Sequence, residues 1–329
     1  MKAALAHTPV LALTMLMAAS AAHGQASPTP LPAFDVASVR QNKTNGPQHS
    51  NVPLDSGNVY STLSPQDSRT AAGGFLVAIH QPLWRYITFA YHLSGTQELA
   101  LRFSYFSGLP KSGAPDWVTG SFTAPAEFFD IEARAAPGTT LDQMRLMMQA
   151  LLAERFHFAL HRQTAEAPVF ALVLVHPGVS GPNLRPHPAT DVCPPDKPPV
   201  ASAPPQASPV THSPVGDLPP VCGVIAHVPS TKNPRSSFGG RAVPLSLLAT
   251  SLPTMTGMAA VPRPVVDQTG LAGLYDFTLN WSQSSDPETG DAAASFRQAL
   301  KDQLGLELRP TRAPIDVLII DHVEHPTDN

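Results

Sequence analysis

The sequence predicts an α+β fold: two related small α+β units, with helices packed on a mixed or antiparallel sheet, joined by a Pro-rich linker. Three observations lead there. Apolar runs of strand length alternate with stripes at helical spacing. The order of these runs in the C-terminal fifth, Val265 to Val323, recurs in weaker form about 146 residues earlier. Between Pro182 and Pro220 the composition shifts to thirteen prolines interspersed with Ser, Ala and His, which can form neither ladder nor helix and predict an extended spacer.

Taken in order, the chain starts with Lys2 and an apolar stretch from Val10 to Ala19, too short for a spanning helix and followed by small residues. This pattern predicts a secretory signal over 1–26, cut after Gly24 or Ala26, and an exported mature protein, periplasmic or extracellular. Phe34 to Val39 predicts a strand, and Gln41 to Thr70, poor in large apolar residues, a long surface loop. Phe75 to Ile79 predicts a strand, and Pro82 the first residue of a helix reaching Leu93. Phe129 to Arg134 alternates apolar with charged, as a half-buried strand does. Thr140 and Gln143 form a capping-box pattern before the stripe Leu141, Met144, Met148, Leu151 and Leu152. Strands are expected over Phe156–Leu160 and Pro168–Val175. These elements make up the first unit with its N-terminal loop, 27–180; the linker is placed at 181–240 and the second unit at 241–329.

In the second unit Pro244, Leu245, Leu248 and Leu252 predict a helix. Tyr275, Phe277, Leu279 and Trp281 share one face of a strand whose register is well specified. Phe296 to Leu304 predicts a helix stopped at Gly305. Leu306–Arg309 and Ile315–Val323 are expected to fold into a hairpin around Pro310 to Pro314. The two units align through Asp130-Ile131 with Asp276-Phe277 and through Pro168-Val169 with Pro314-Ile315 at one offset. Pro82-Leu83 aligns with Pro244-Leu245 at a larger one, which implies an insertion in the second copy's linker or a shorter helix loop.

Charged residues make up 14% of the chain, the net charge is −4 and there are 37 prolines. This balance gives no electrostatic case for nucleic acid or anionic lipid. After the N-terminal stretch no run is apolar for long enough to span a membrane. The two cysteines, Cys193 and Cys222, predict a disulfide in an exported chain, worth roughly 3.5 kcal/mol for a loop of about 30 residues. Free thiols, or a zinc site completed by His187, His212 or His227, are the alternatives.

Several strings carry a family resemblance: Phe34-Asp35-Val36-Ala37-Ser38-Val39, Gly113-Ala114-Pro115-Asp116-Trp117, Leu151-Leu152-Ala153-Glu154-Arg155-Phe156, Arg263-Pro264-Val265-Val266-Asp267-Gln268-Thr269-Gly270-Leu271 and Gly273-Leu274-Tyr275-Asp276-Phe277. In combination they resemble the "soil-associated" exported family typical of acidobacterial genomes, domain of unknown function 3738. The resemblance implies an exported protein with no assigned reaction and no catalytic residues to carry over. Similar domains occur fused to membrane metalloprotease sensors of the antibiotic-response type, which implies a sensory or interaction role. The repeat unit is also similar, more loosely, to the short N-terminal domain of secretins and TonB-dependent receptors.

Catalytic signatures do not guide the reading: the sequence contains no Gly-x-Ser-x-Gly, His-Glu-x-x-His, Walker or Gly-x-Gly-x-x-Gly pattern. Trp117 and Trp281 are candidate interaction or packing residues. Asp130 with Glu132, and Asp276 with Asp321, could pair as acid and base or serve only as solvated sheet carboxylates. His322, two residues before Glu324 and three before His325, superficially suggests a metal cluster. No cofactor is expected. The preferred expectation is a non-catalytic binding or signalling module for a protein, peptide or cell-envelope ligand; the alternative is an exported hydrolase with its site between the units.

Overall fold

The structure is a computed structural model that describes residues 31–57, 59–60, 74–121, 123–191, 218–219, 221–228, 237–256, 260–282 and 292–326. The expected signal segment and Cys193 lie outside the described residues. Helices and three sheets make an α+β fold.

The first sheet is antiparallel, in the order β1 (Val36–Gln41), β5 (Phe128–Arg134), β4 (Phe75–Pro82) and β2 (His49–Ser50). In β5 the inward side chains Phe129, Ile131 and Ala133 are buried, as alternation predicts. On them pack α1 (Leu83–Ala90) and α4 (Leu141–Phe156), the latter opened by the expected capping box between Thr140 and Gln143. Met144 and Met148 of α4 are fully buried. The strand expected from Phe156 begins later, because α4 continues through Phe156 and His157 takes a left-handed conformation at its end. The loop expected over 41–70 contains β2 and β3 (Val59–Tyr60) and sends Val52 and Leu54 into the core. The turn-rich composition hid those two anchors.

The second sheet runs β3, β8 (Val224–His227), β9 (Ser237–Val243), β11 (Tyr275–Asn280), β7 (Leu184–Pro186), antiparallel except for the β3–β8 pair. Its helices are α5 (Leu245–Thr256) and α6 (Ala292–Leu304), the latter ended at Gly305 with φ +68° as expected. Strands β7, β8 and the start of β9 fall inside the 181–240 stretch expected to be spacer. All seven residues of β9 are buried even though two are glycines. Gly240 is there because a Cβ would meet the Phe277 ring at 2.4 Å.

The third sheet joins the other two. Strands β6 (Ala159–Leu174) and β12 (Leu306–His322) pair antiparallel from end to end, and β10 (Val265–Asp267) adds parallel to β6. No hairpin forms at Pro310–Pro314; both runs belong to one long strand, and the same holds across Pro168. Backbone direction explains why. Phe170 N–H bonds Pro264 O and Leu172 O accepts from Gln268 N–H, so even-numbered residues of β6 face away from β12. Ile320 N–H bonds Ser112 O, which puts the even-numbered residues of β12 on its outer edge too. Pro168, Pro310 and Pro314 are all even, so none of them removes a bond of the shared ladder.

The ribbon carries side chains across the molecule. Leu318 and Ile320 from the end of β12 complete the first core, while Phe170 and Leu172 from the end of β6 complete the second. At its centre, where Ala167 faces Ala313, a small cluster of Val169, Ile315 and Val317 closes with Ala100 of α2 (Gly95–Ser107). Helix α2, capped by Ser94 and Gln97, stands between α1 and β5 and is matched by no helix between α5 and β11 among the described residues. The larger offset of the proline pair therefore goes with a shorter connection between α5 and β11 than between α1 and β5.

Candidate functional site

Asp130 and Asp276 are the best-placed carboxylates, and each does the same structural task. In β4 the register against β5 slips between Ala78 and Gln81, and the bulged His80 adopts φ +54°. Its N–H donates to Asp130 Oδ1 at 2.7 Å, and Asn42 Nδ2 donates to the same oxygen at 2.8 Å. In β9 the slip against β11 lies between Gly240 and Val243, and the bulged Ala242 adopts φ +51°. Its N–H donates to Asp276 Oδ1 at 2.8 Å, where His187 Nδ1 also bonds at 2.8 Å. Asn42 and His187 each follow the edge strand, and their own N–H groups bond Phe128 O and Leu274 O. Each Asp faces an arginine of that strand, Arg40 or Arg185. A carboxylate suits this position because it offers several lone pairs to a backbone N–H that the bulge removes from the ladder.

The second of these clamps extends into a network. Arg241 Nε donates to Asp191 Oδ2 at 2.9 Å and its Nη2 bonds Asp191 Oδ1. Asp191 O lies 3.0 Å from His187 Nε2. The bidentate guanidinium holds the Asp191 carboxyl below the usual carboxylate range. His187, Asp191 and Asp276 present one ligand atom each within 4.8 Å, a spacing that suits a metal ion. The donors are nevertheless committed: Arg241 occupies Asp191, the Ala242 N–H and His187 occupy Asp276, and the guanidinium supplies the local positive charge. This arrangement ties the segment after β7 to β9 and β11 as an ionic latch.

His80 is buried with its ring stacked 4.2 Å from Phe128, and its Nδ1 has no hydrogen-bond partner. The Tyr86 hydroxyl lies 3.0 Å from Ala78 O and 2.9 Å from Phe129 O across the same bulge and shares its one proton between them, and burial pushes its pKa well above the usual value.

The other sequence candidates separate. Trp281 is core, 4% exposed and packed on Phe238 and Phe296. Trp117, on the short α3 (Asp116–Thr119), is half-buried under the C-terminal tail, with His325 stacked on it at 4.2 Å. Asp321 accepts from exposed His161 at 2.7 Å, far from Asp276 in the fold. His322 and His157 flank the two oxygens of Glu324 at 2.8 and 3.2 Å, while His325 turns away to Glu127. Asp276 and Asp321 thus do not meet as acid and base, while Asp130 is taken up by the His80 N–H and Asn42, with Glu132 exposed two residues further along β5. Sequence reasoning missed Asn42 and Arg241; the signal that could have found Asn42 is its place beside Asp130, the same as that of His187 beside Asp276. Cys222 precedes β8, and its expected pairing with Cys193 falls on a residue outside the described ones.

Among the described residues no helix is long and apolar enough to cross a membrane. A family model described as a protein of unknown function (DUF3738) matches residues 85–323. No curated protein and no solved structure matches the chain.

Proposed function

On the premise that this chain belongs to the DUF3738 family, we propose that it is an exported interaction module, made of two copies of one α+β unit, that binds a protein or peptide of the cell envelope without catalysing a reaction. The observation that carries this reading is a row on the outer face of the first sheet. Val36 and Phe75 are 68% and 45% exposed, and both face Arg134 across the ladder. The Arg134 guanidinium lies 5.1 Å from the Phe75 ring. Exposed aromatic side chains and arginines are enriched at protein-binding interfaces.

The export part of the reading is supported by Lys2 and the apolar stretch Val10–Ala19, and the disulfide part by the presence of two cysteines in such a chain. The two-copy part is supported by the matched bulges at His80 and Ala242, each held by an Asp of the neighbouring strand. The resemblance to the secretin and TonB short domain points to the same kind of role.

The test is capture of partners by the mature protein from an envelope extract, run beside the Phe75→Glu variant and a broad hydrolase screen. A partner retained by the wild type and lost at least roughly tenfold by the variant supports the reading. Turnover abolished by one substitution at a polar residue would replace it with the hydrolase alternative. Mass analysis of the exported protein checks the rest: cleavage after Gly24 or Ala26, and a Cys193–Cys222 peptide that separates on reduction.

A further inference from the structure

Among the described residues the ribbon leaves one strand edge open. Leu160, Arg162, Thr164 and Glu166 are even-numbered, so their N–H and C=O groups point away from β12, and β10 covers β6 only from Phe170 onward. His161, Arg162, Gln163, Thr164 and Glu166 are all exposed. Of the outward groups, Glu166 O accepts from Arg312 Nη2 at 3.1 Å. The corresponding edge of β12 is guarded, because Pro310 and Pro314 remove two of its outward N–H donors and Ser112 O takes that of Ile320. The edge of β6 has no such guard before Pro168.

We propose that this edge pairs with the same edge of a second copy of the chain, antiparallel and two-fold symmetric, with Thr164 facing Thr164. The occupant follows from charge. In that register Arg162 of each copy stands opposite Glu166 of the other, so one strand supplies both signs and the pairing is self-complementary. Shifting the register by two residues in either direction loses both ion pairs. The three central residues of each strand exchange roughly six N–H···O bonds, since each hydrogen-bonded pair contributes two. Opposite charges facing each other across an antiparallel pair favour the register, and like charges oppose it. A contact made by an edge alone is small, so the dimer forms reversibly with concentration. It leaves the outer face of the first sheet free and does not depend on the partner proposed above.

Sedimentation equilibrium of the full mature chain over a wide concentration range tests this. The wild type is expected to pass from monomer to dimer, with the Arg162 and Thr164 amides gaining exchange protection as the dimer forms. Thr164→Pro removes an outward donor and the exposed Thr164 Oγ1–Asp316 Oδ1 bond but no backbone bond to β12, and Arg162→Glu places two carboxylates against each other. Each is expected to raise the dissociation constant roughly tenfold or more while leaving the unfolding midpoint of the monomer in place. Arg162→Glu combined with Glu166→Arg is expected to restore the dimer. A wild type that stays monomeric throughout overturns the proposal. So does a dimer that Arg162→Glu leaves intact, whatever Thr164→Pro does to the fold.

Discussion

At the level of single residues, the two aspartates that looked most like catalytic groups hold the backbone instead. Replacing Asp276 with Ala leaves the Ala242 N–H without its carboxylate acceptor, and Asp130→Ala does the same to the His80 N–H. Each change is expected to cost about 1–3 kcal/mol, read as a lower urea midpoint at unchanged slope. His187→Asn, which copies the first clamp, is expected to be tolerated far better than Asp276→Ala in the same assay. Two histidines weaken the fold on the acid side. Burial lowers the pKa of His227, which lies 4.0 Å from the Phe238 ring, and burial followed by the Arg145 charge lowers that of His92. A lowered folded-state pKa means that the unfolded chain binds the proton more tightly. The stability these groups contribute is therefore complete above about pH 6.5 and lost as pH falls below it. The unfolding midpoint is expected to drop between about pH 7 and pH 5.5, and less steeply in His92→Gln/His227→Gln.

At the level of elements, the prolines of the ribbon show why local signals misled. Read alone, Pro310 and Pro314 break a strand, and the sequence predicted a hairpin there. Their tolerance depends on which edge each N–H would face, a property of pairing that neighbouring residues do not encode. Pro310→Ala is expected to leave the unfolding midpoint nearly unchanged. Ala171→Pro, one residue out of phase, removes a ladder donor facing Arg309 and is expected to unfold the protein at room temperature or to halve its urea midpoint. Helix α4 and strand β11 were legible because a single face is buried and the period is regular. The short strands β2, β7 and β8 were not, since a two- to four-residue pairing carries too few side chains to show a pattern.

For the whole molecule, the long ribbon makes the two cores depend on each other. Ile320 follows the second sheet in sequence but packs in the first core, whereas Phe170 follows the first sheet and packs in the second. Ile320→Ala is expected to cost about 2–5 kcal/mol and to speed amide exchange first in β4 and β5. Phe170→Ala is expected to act first on β9 and β11. If each substitution instead loosened only the sheet that precedes it in sequence, the exchange of strand ends would not govern stability.

The sequence by itself determined the α+β class, the buried faces of α4, β5 and β11, the capping box at Thr140 and the stop at Gly305. Each of these depends on side-chain period or on the conformational preference of one or two neighbouring residues. Only the tertiary structure decided that β6 and β12 run unbroken through their prolines, that each core is finished by a strand from the other side, and that Asp130 and Asp276 serve bulges rather than a shared site. The first two outcomes depend on which backbone groups meet across more than a hundred residues of chain, and the third on bulges 50 and 34 residues from their aspartates; pairing at such distances is selected by the packing of the whole molecule rather than by any local run.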